Sequence, residues 1–163
     1  MVQVPDELAL RLVGLAAAFD LRGHGPRVED AISLAADLLM ADRETPATVE
    51  VASLGAGATL RDSGDNIREM LREQGVTPPA PPAGEDAAYM TALWAVGLGG
   101  ISVGEFSVVF YDFLPAWNDQ SEVQRRLVRL LHEWDLESDA EARQSIAATI
   151  RQIAAEAATS AAG

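Results

Sequence analysis

The chain of 163 residues contains no cysteine and no lysine. The first absence excludes disulfides, thiolate metal sites, thiol nucleophiles and cysteine redox switching together. It fits a reducing compartment, and the cytoplasm is the expected location. The second absence leaves arginine as the whole basic complement, twelve residues against 25 acids, for a net charge of −13. No basic residue occurs between Arg72 and Arg125, whereas Glu73, Glu85, Asp86, Glu105, Asp112, Asp119 and Glu122 all fall inside that window. A middle segment of that sign repels phosphate backbones, so no nucleic-acid binding is expected and a basic protein is the electrostatically favoured partner.

Long apolar runs are also missing. None approaches the roughly 18 residues that suggest a membrane span, and MVQVPDELALRL lacks a basic segment ahead of an apolar stretch, so neither a span nor a standard secretory signal is expected. Histidine is confined to His24 and His132, too few to complete a histidine-based metal site, and no metal or cofactor is expected. Aromatic side chains are scarce except in one place. Tyr89, Trp94, Phe106, Phe110, Tyr111, Phe113 and Trp117 are seven of the nine. Large rings dominate burial energetics, so residues 89–117 are expected to form the core hairpin around which the other elements pack.

The remaining pattern is helical throughout. Pro5-Asp6-Glu7 opens a helix carrying Leu8, Leu12, Leu15 and Phe19, and residues 21–25 break it. A second helix, with Val28, Ala31, Ile32, Ala35, Leu38 and Leu39, should run to about Asp42 and pair antiparallel with the first. Thr45-Pro46 starts a short helix ended by Gly55-Ala56-Gly57, with a strand at Thr48 to Leu54 as the alternative. Asp62 or Ser63 can cap a fourth helix with Ile67, Met70 and Leu71 on one side and Gly75 at its end. VTPPAPPAG then places four prolines within five residues, which forbids helix and favours an extended spacer.

Beyond the spacer, helix resumes through Tyr89, Leu93, Trp94 and Val96 until Gly97-Leu98-Gly99-Gly100. Ser102 to Glu105 has the spacing of a capping box, after which Phe106, Val109, Phe110, Phe113, Leu114 and Trp117 recur on one helical face, read as plain core. The rival reading is a strand through VVFYDF. Asp119 to Glu122 and Ser138 to Glu141 are two further box-like starts. The predicted architecture is therefore all-α, about seven helices in two packed lobes, residues 1–76 and 85–163, joined by a proline-rich linker at 77–84.

Few constellations carry chemistry. Gly100-Ile101-Ser102-Val103-Gly104 fits G-x-S-x-G, and Asp112 or Asp119 and then His132 follow in hydrolase order. The pattern needs a strand before the serine, and the preceding TALWAVGLGG reads as helix, so a capping role for Ser102 is preferred. Gly97, Gly99 and Gly100 lack the strand and lysine of a phosphate loop and read as a helix–helix turn. His132-Glu133-Trp134-Asp135 does not complete H-E-x-x-H, and Asp62 to Asn66 lacks the later glutamate of a calcium loop. Arg125, Arg126 and Arg129 are expected to pair with Glu122, Glu133 or other acids at helical spacing. No catalytic residue is assigned, and the expected class is non-enzymatic.

Thr45-Pro46-Ala47 through Leu54, Ile67 to Gly75, Gly100-Ile101-Ser102, Glu133-Trp134 and Arg143, in that order, resemble a family of uncharacterised small helical proteins common in high-GC bacteria. The resemblance covers most of the chain and implies a helical two-part fold without assigning sites. Ser102 to Trp117 is also similar in pattern to helical bacteriocin immunity proteins, in which an acidic surface meets a basic toxin. The expected function is an interaction or regulatory protein whose contact residues are Trp94, Tyr111, Asp112, Asp119 and Glu122. Self-association through the aromatic helices, and hydrolysis at Ser102 with His132, are the alternatives.

Overall fold

The computed structural model describes residues 7–19, 21, 26–76 and 87–162, and these are all-helical. Eight α-helices occur among them where about seven were expected: α1 Glu7–Phe19, α2 Val28–Met40, α3 Pro46–Ala52, α4 Leu60–Glu73, α5 Ala87–Gly97, α6 Val103–Asp112, α7 Glu122–Leu136 and α8 Ala140–Ala162. A single 3-10 turn, Trp117–Asp119, separates α6 from α7. The linker at 77–84, the start at Pro5-Asp6 and the break at 22–25 with His24 lie outside the described residues. No helix among the described residues is long and apolar enough to cross a membrane.

Caps explain most boundaries. Thr45 caps α3 as expected, its hydroxyl accepting the Thr48 N–H at 3.2 Å with Pro46 in the first turn, so the strand alternative there is excluded. The start of α3 is also tied to the end of α4: the Ala47 N–H donates to Glu73 Oε2 at 2.9 Å, and the Gln74 amide donates to Thr48 Oγ1 and to the Arg43 carbonyl. The cap of α4 is Thr59 rather than Asp62 or Ser63. Starting three residues earlier brings Leu60 onto the core. Ser121, not Asp119, opens α7, in a complete capping box with Gln124. At α8 the aspartate of the predicted box does the capping, Asp139 Oδ2 accepting the Ala142 N–H at 2.8 Å.

The aromatic helix is shorter than its apolar spacing implied. It stops at Asp112, because Pro115 excludes helical geometry from Leu114 and the chain must turn before it. Phe106 and Phe110 stay fully buried, with ring centroids 5.1 Å apart, while Phe113 and Trp117 fall beyond the helix and are exposed, which corrects their reading as core. The strand rival through VVFYDF is excluded by the same helix.

Buried apolar side chains form two clusters that meet along α1. Leu12 and Leu15, backed by Leu8 and Phe19, face a core built from α2, α3 and α4. Ala17, Ala18 and Leu21, with Leu10 and Val13, face a second core that contains Trp94, Phe106, Phe110, Leu127, Leu131 and Ile150. The predicted stripe of α1 is thus only one of its two buried faces, and a helix apolar on both sides belongs between layers. It packs more extensively on α5 than on α2. In the second core, α8 lies along α5 and α7, and two close crossings fix these helices. Gly14 meets Leu98 and Gly100 where α1 passes the end of α5, and Gly97 sits against the backbone of Ala154 and Ala155 in α8. Gly97 and Gly100 serve helix contact, and Gly99, at φ +85°, makes the turn.

Candidate functional site

The end of α6 and the segment leading into α7 form an edge on which large apolar side chains face solvent. Val108, Tyr111, Phe113 and Trp117 are all exposed, Tyr111 at 48% and Trp117 at 56%. Tyr111 rests edge-on against Phe110, centroids 6.0 Å apart, so the exposed ring stands on a fully buried one. Burial of its inner part and, secondarily, the nearby Asp135 carboxylate push the Tyr111 hydroxyl pKa above its ordinary value, keeping it a neutral hydrogen-bonding group at physiological pH.

Trp117 is held by α7. The Arg125 guanidinium lies 5.5 Å from the indole centroid and donates through Nη2 to the Trp117 carbonyl at 3.3 Å. The Gln120 amide donates to the Pro115 carbonyl at 3.1 Å and closes the same segment. An exposed tryptophan fixed by backbone and cation contacts loses little freedom on binding, which is the property of an anchor residue.

Of the five contact residues expected from sequence, the fold keeps four on the surface. Tyr111, Asp112, Asp119 and Glu122 are exposed. Trp94 is not, being 3% exposed in the core with its indole N–H donating to the Ala158 carbonyl at 3.4 Å. Nor do the four converge on one spot. Tyr111 is near enough to feel Asp135, at the C-terminal end of α7, while Glu122 begins that helix, some 20 Å of helical rise away. Glu122 instead lines a shallow groove of about 330 Å³ with Val123, Arg126, Ile153, Glu156 and Ala157, between α7 and α8. The surface is more mixed in charge than the acidic window 73–122 implied, because Arg125 lies on Trp117 and Arg126 lines the groove with Glu122. Among the described residues none of Arg125, Arg126 and Arg129 forms an ion pair with Glu122 or Glu133, and Arg125 is committed to Trp117.

Ser102 caps α6, its hydroxyl oxygen accepting the Glu105 N–H at 3.1 Å. The box forms only in half: Glu105 Oε2 is buried and without a hydrogen-bond partner. The preceding element is helix, not strand. Trp134 reaches the α6 start, its Cη2 lying 3.5 Å from where a Cβ on Gly104 would stand. His132, two residues earlier on α7, is therefore turned about 200° away, exposed and directed from Ser102. Among the described residues no group of three or more histidines and acids could hold a metal ion.

A small polar cavity of about 80 Å³ lies between α1 and α2, lined by Arg11, Leu15, Asp30, Ser33, Leu34 and Gly99. Burial raises the pKa of Asp30 above its ordinary 3.8, and the attraction of Arg27, Arg151 and Arg11 offsets this only in part. Between the unfolded and the raised folded value the native state holds more protons, so stability falls as pH rises through that window, and ionised Asp30 remains a cost at pH 7. Asp30→Asn is therefore expected to raise the thermal midpoint at pH 7, by only about 1 °C because the side chain is half-exposed and screened. The gain should vanish below the ordinary carboxylate range, as paired melts at pH 7 and pH 3 would show.

Comparison of the chain with family models, with curated proteins and with solved structures gives no match.

Proposed function

We propose that this chain is a non-enzymatic, cytoplasmic interaction or regulatory protein of the immunity or inhibitor type, which binds a basic protein through the α6–α7 edge. Its two helical lobes, residues 1–76 and 85–163 with the proline-rich linker between them, act as the scaffold that presents that edge. The observation that carries the reading is the row of exposed apolar side chains, Val108, Tyr111, Phe113 and Trp117, interleaved with the exposed carboxylates Asp112 and Asp119. Exposed aromatics at fixed positions mark contact surfaces, and carboxylates beside them select a partner's charge and speed its approach. The net charge of −13 acts in the same direction.

The test is capture from lysate at low and high salt, with wild type beside a variant carrying Asp112→Asn, Asp119→Asn and Glu122→Gln, and beside Trp117→Ala. A basic protein captured by wild type, released by salt and lost from both variants is the expected result. The same aromatic edge supports a second reading, self-association into a structural homo-oligomer. If nothing basic is captured and sedimentation gives a dimer that Trp117→Ala dissolves, the second reading replaces the first.

A further inference from the structure

Independently of that edge, the turn between α7 and α8 assembles a small-molecule setting around Arg143. The Arg143 guanidinium carbon stands 4.0 Å from the centroid of the Trp134 ring, and Trp134 is itself lodged against Gly104 at the start of α6. Among the described residues Arg143 has no ion-pair partner, and its Nε is buried without an acceptor. Two neighbouring carboxylates are already engaged by backbone donors: Glu137 Oε1 accepts the Asp139 N–H at 3.0 Å, and Asp139 Oδ2 accepts the Ala142 N–H. An open cavity of about 340 Å³ adjoins the pair, lined by Trp134, Ser138, Ala140, Arg143, Gln144 and Ala147.

We propose that this cavity binds a small planar monocarboxylate. A guanidinium stacked on an indole keeps its N–H edge for a two-oxygen acceptor in its own plane, and the stacking fixes that edge in place. Ser138 and Gln144 contribute a hydroxyl and an amide, while Trp134, Ala140 and Ala147 form an apolar wall for the body of the ligand. The first turn of α8 adds a favourable potential for one negative charge. Glu137, Asp139 and Glu141, next in sequence to the lining residues Ser138 and Ala140, add negative potential that disfavours a second charge, which selects against phosphate dianion. The cavity has room for a ligand of one ring.

The probe is benzoate, with benzamide as its neutral isostere and inorganic phosphate as the dianion, each titrated at constant ionic strength into the full chain. The readout is the proton–nitrogen correlation of the Trp134 indole N–H, assigned with Trp134→Phe. Benzoate should move that resonance saturably, with benzamide and phosphate at least tenfold weaker. Arg143→Gln should weaken benzoate at least tenfold and Arg143→Lys severalfold, because lysine keeps the charge but loses the planar fork. Both variants should remain folded, with melting midpoints lowered by no more than a few degrees, since Arg143 makes no side-chain hydrogen bond among the described residues and only the contact with the Trp134 ring is weakened. The proposal is overturned if benzoate leaves the Trp134 resonance unmoved, if benzamide or phosphate binds as well, or if Arg143→Gln binds benzoate unchanged.

Discussion

Gly97→Ala should lower stability by about 3 kcal/mol or more and the thermal midpoint by roughly 6–12 °C. A Cβ at Gly97 would stand 2.5 Å from the Ala155 nitrogen and 2.8 Å from the Ala154 carbonyl carbon. These are backbone atoms of α8, so no side chain can turn aside to make room. Relief requires α5 and α8 to separate, and their contact carries Trp94, Ile150, Ile153 and Ala154. Gly55→Ala is the matched control, because a Cβ there meets nothing within 4 Å. It should be neutral or slightly stabilising, through a smaller unfolded-state entropy. Urea unfolding of the two variants beside wild type checks the contrast, and equal midpoints would show that the α5–α8 crossing is looser than this geometry.

The origin of that sensitivity was hidden in the sequence, where Gly97, Gly99 and Gly100 read only as a helix stop. A stop and a close crossing use the same residue type, and only the position of α8 distinguishes them. Local signals otherwise carried far. Thr45-Pro46 and Ser102 marked real starts, because a cap is written in adjacent residues. Gly75 marked the end of α4, at φ +73°. The end of α2, expected at about Asp42, comes at Met40, and the left-handed position is filled there by Asp42, at φ 59°, with the Arg43 N–H closing onto the Leu38 carbonyl. Periodicity misled where it continued past Pro115, because spacing alone cannot see the geometry proline forbids.

The second buried face of α1 was illegible for a different reason. Leu10 and Val13 lie off the leucine stripe and Ala17 and Ala18 are too small to mark a second one, and their burial depends on α5, about eighty residues downstream. The candidate edge was half-legible. Tyr111, Asp112 and Asp119 are exposed, whereas Phe113 and Trp117, which the spacing reads as core, lie outside and Trp94, read as a contact residue, is buried. Apolar bulk predicts burial on average. It fails where the chain leaves its helix, and that departure is what puts Phe113 and Trp117 outside.

Core and edge are joined at Phe110, and Phe110→Ala is expected to destabilise by about 3–5 kcal/mol. Against a total of roughly 5–15 kcal/mol for a domain, that loss brings the protein close to unfolding at physiological temperature. Phe110 is fully buried, and its ring lies 5.1 Å from Phe106, 6.2 Å from Tyr89 and 6.0 Å from Tyr111. Truncation would leave a cavity bounded by three rings that cannot close over it together. Tyr111→Ala should cost under about 1 kcal/mol, since half of that side chain is already in water. Phe110→Leu separates volume from ring chemistry: it keeps most of the bulk and should lose about 1–2 kcal/mol, the part owed to aromatic contacts and shape. Because Tyr111 stands on Phe110, the leucine variant should also loosen the exposed tyrosine, seen as weakened near-ultraviolet circular dichroism in a protein that still folds. A leucine variant as unstable as the alanine one, or with an unchanged tyrosine signal, would mean that the edge is positioned by the backbone of α6 and not by the ring beneath it.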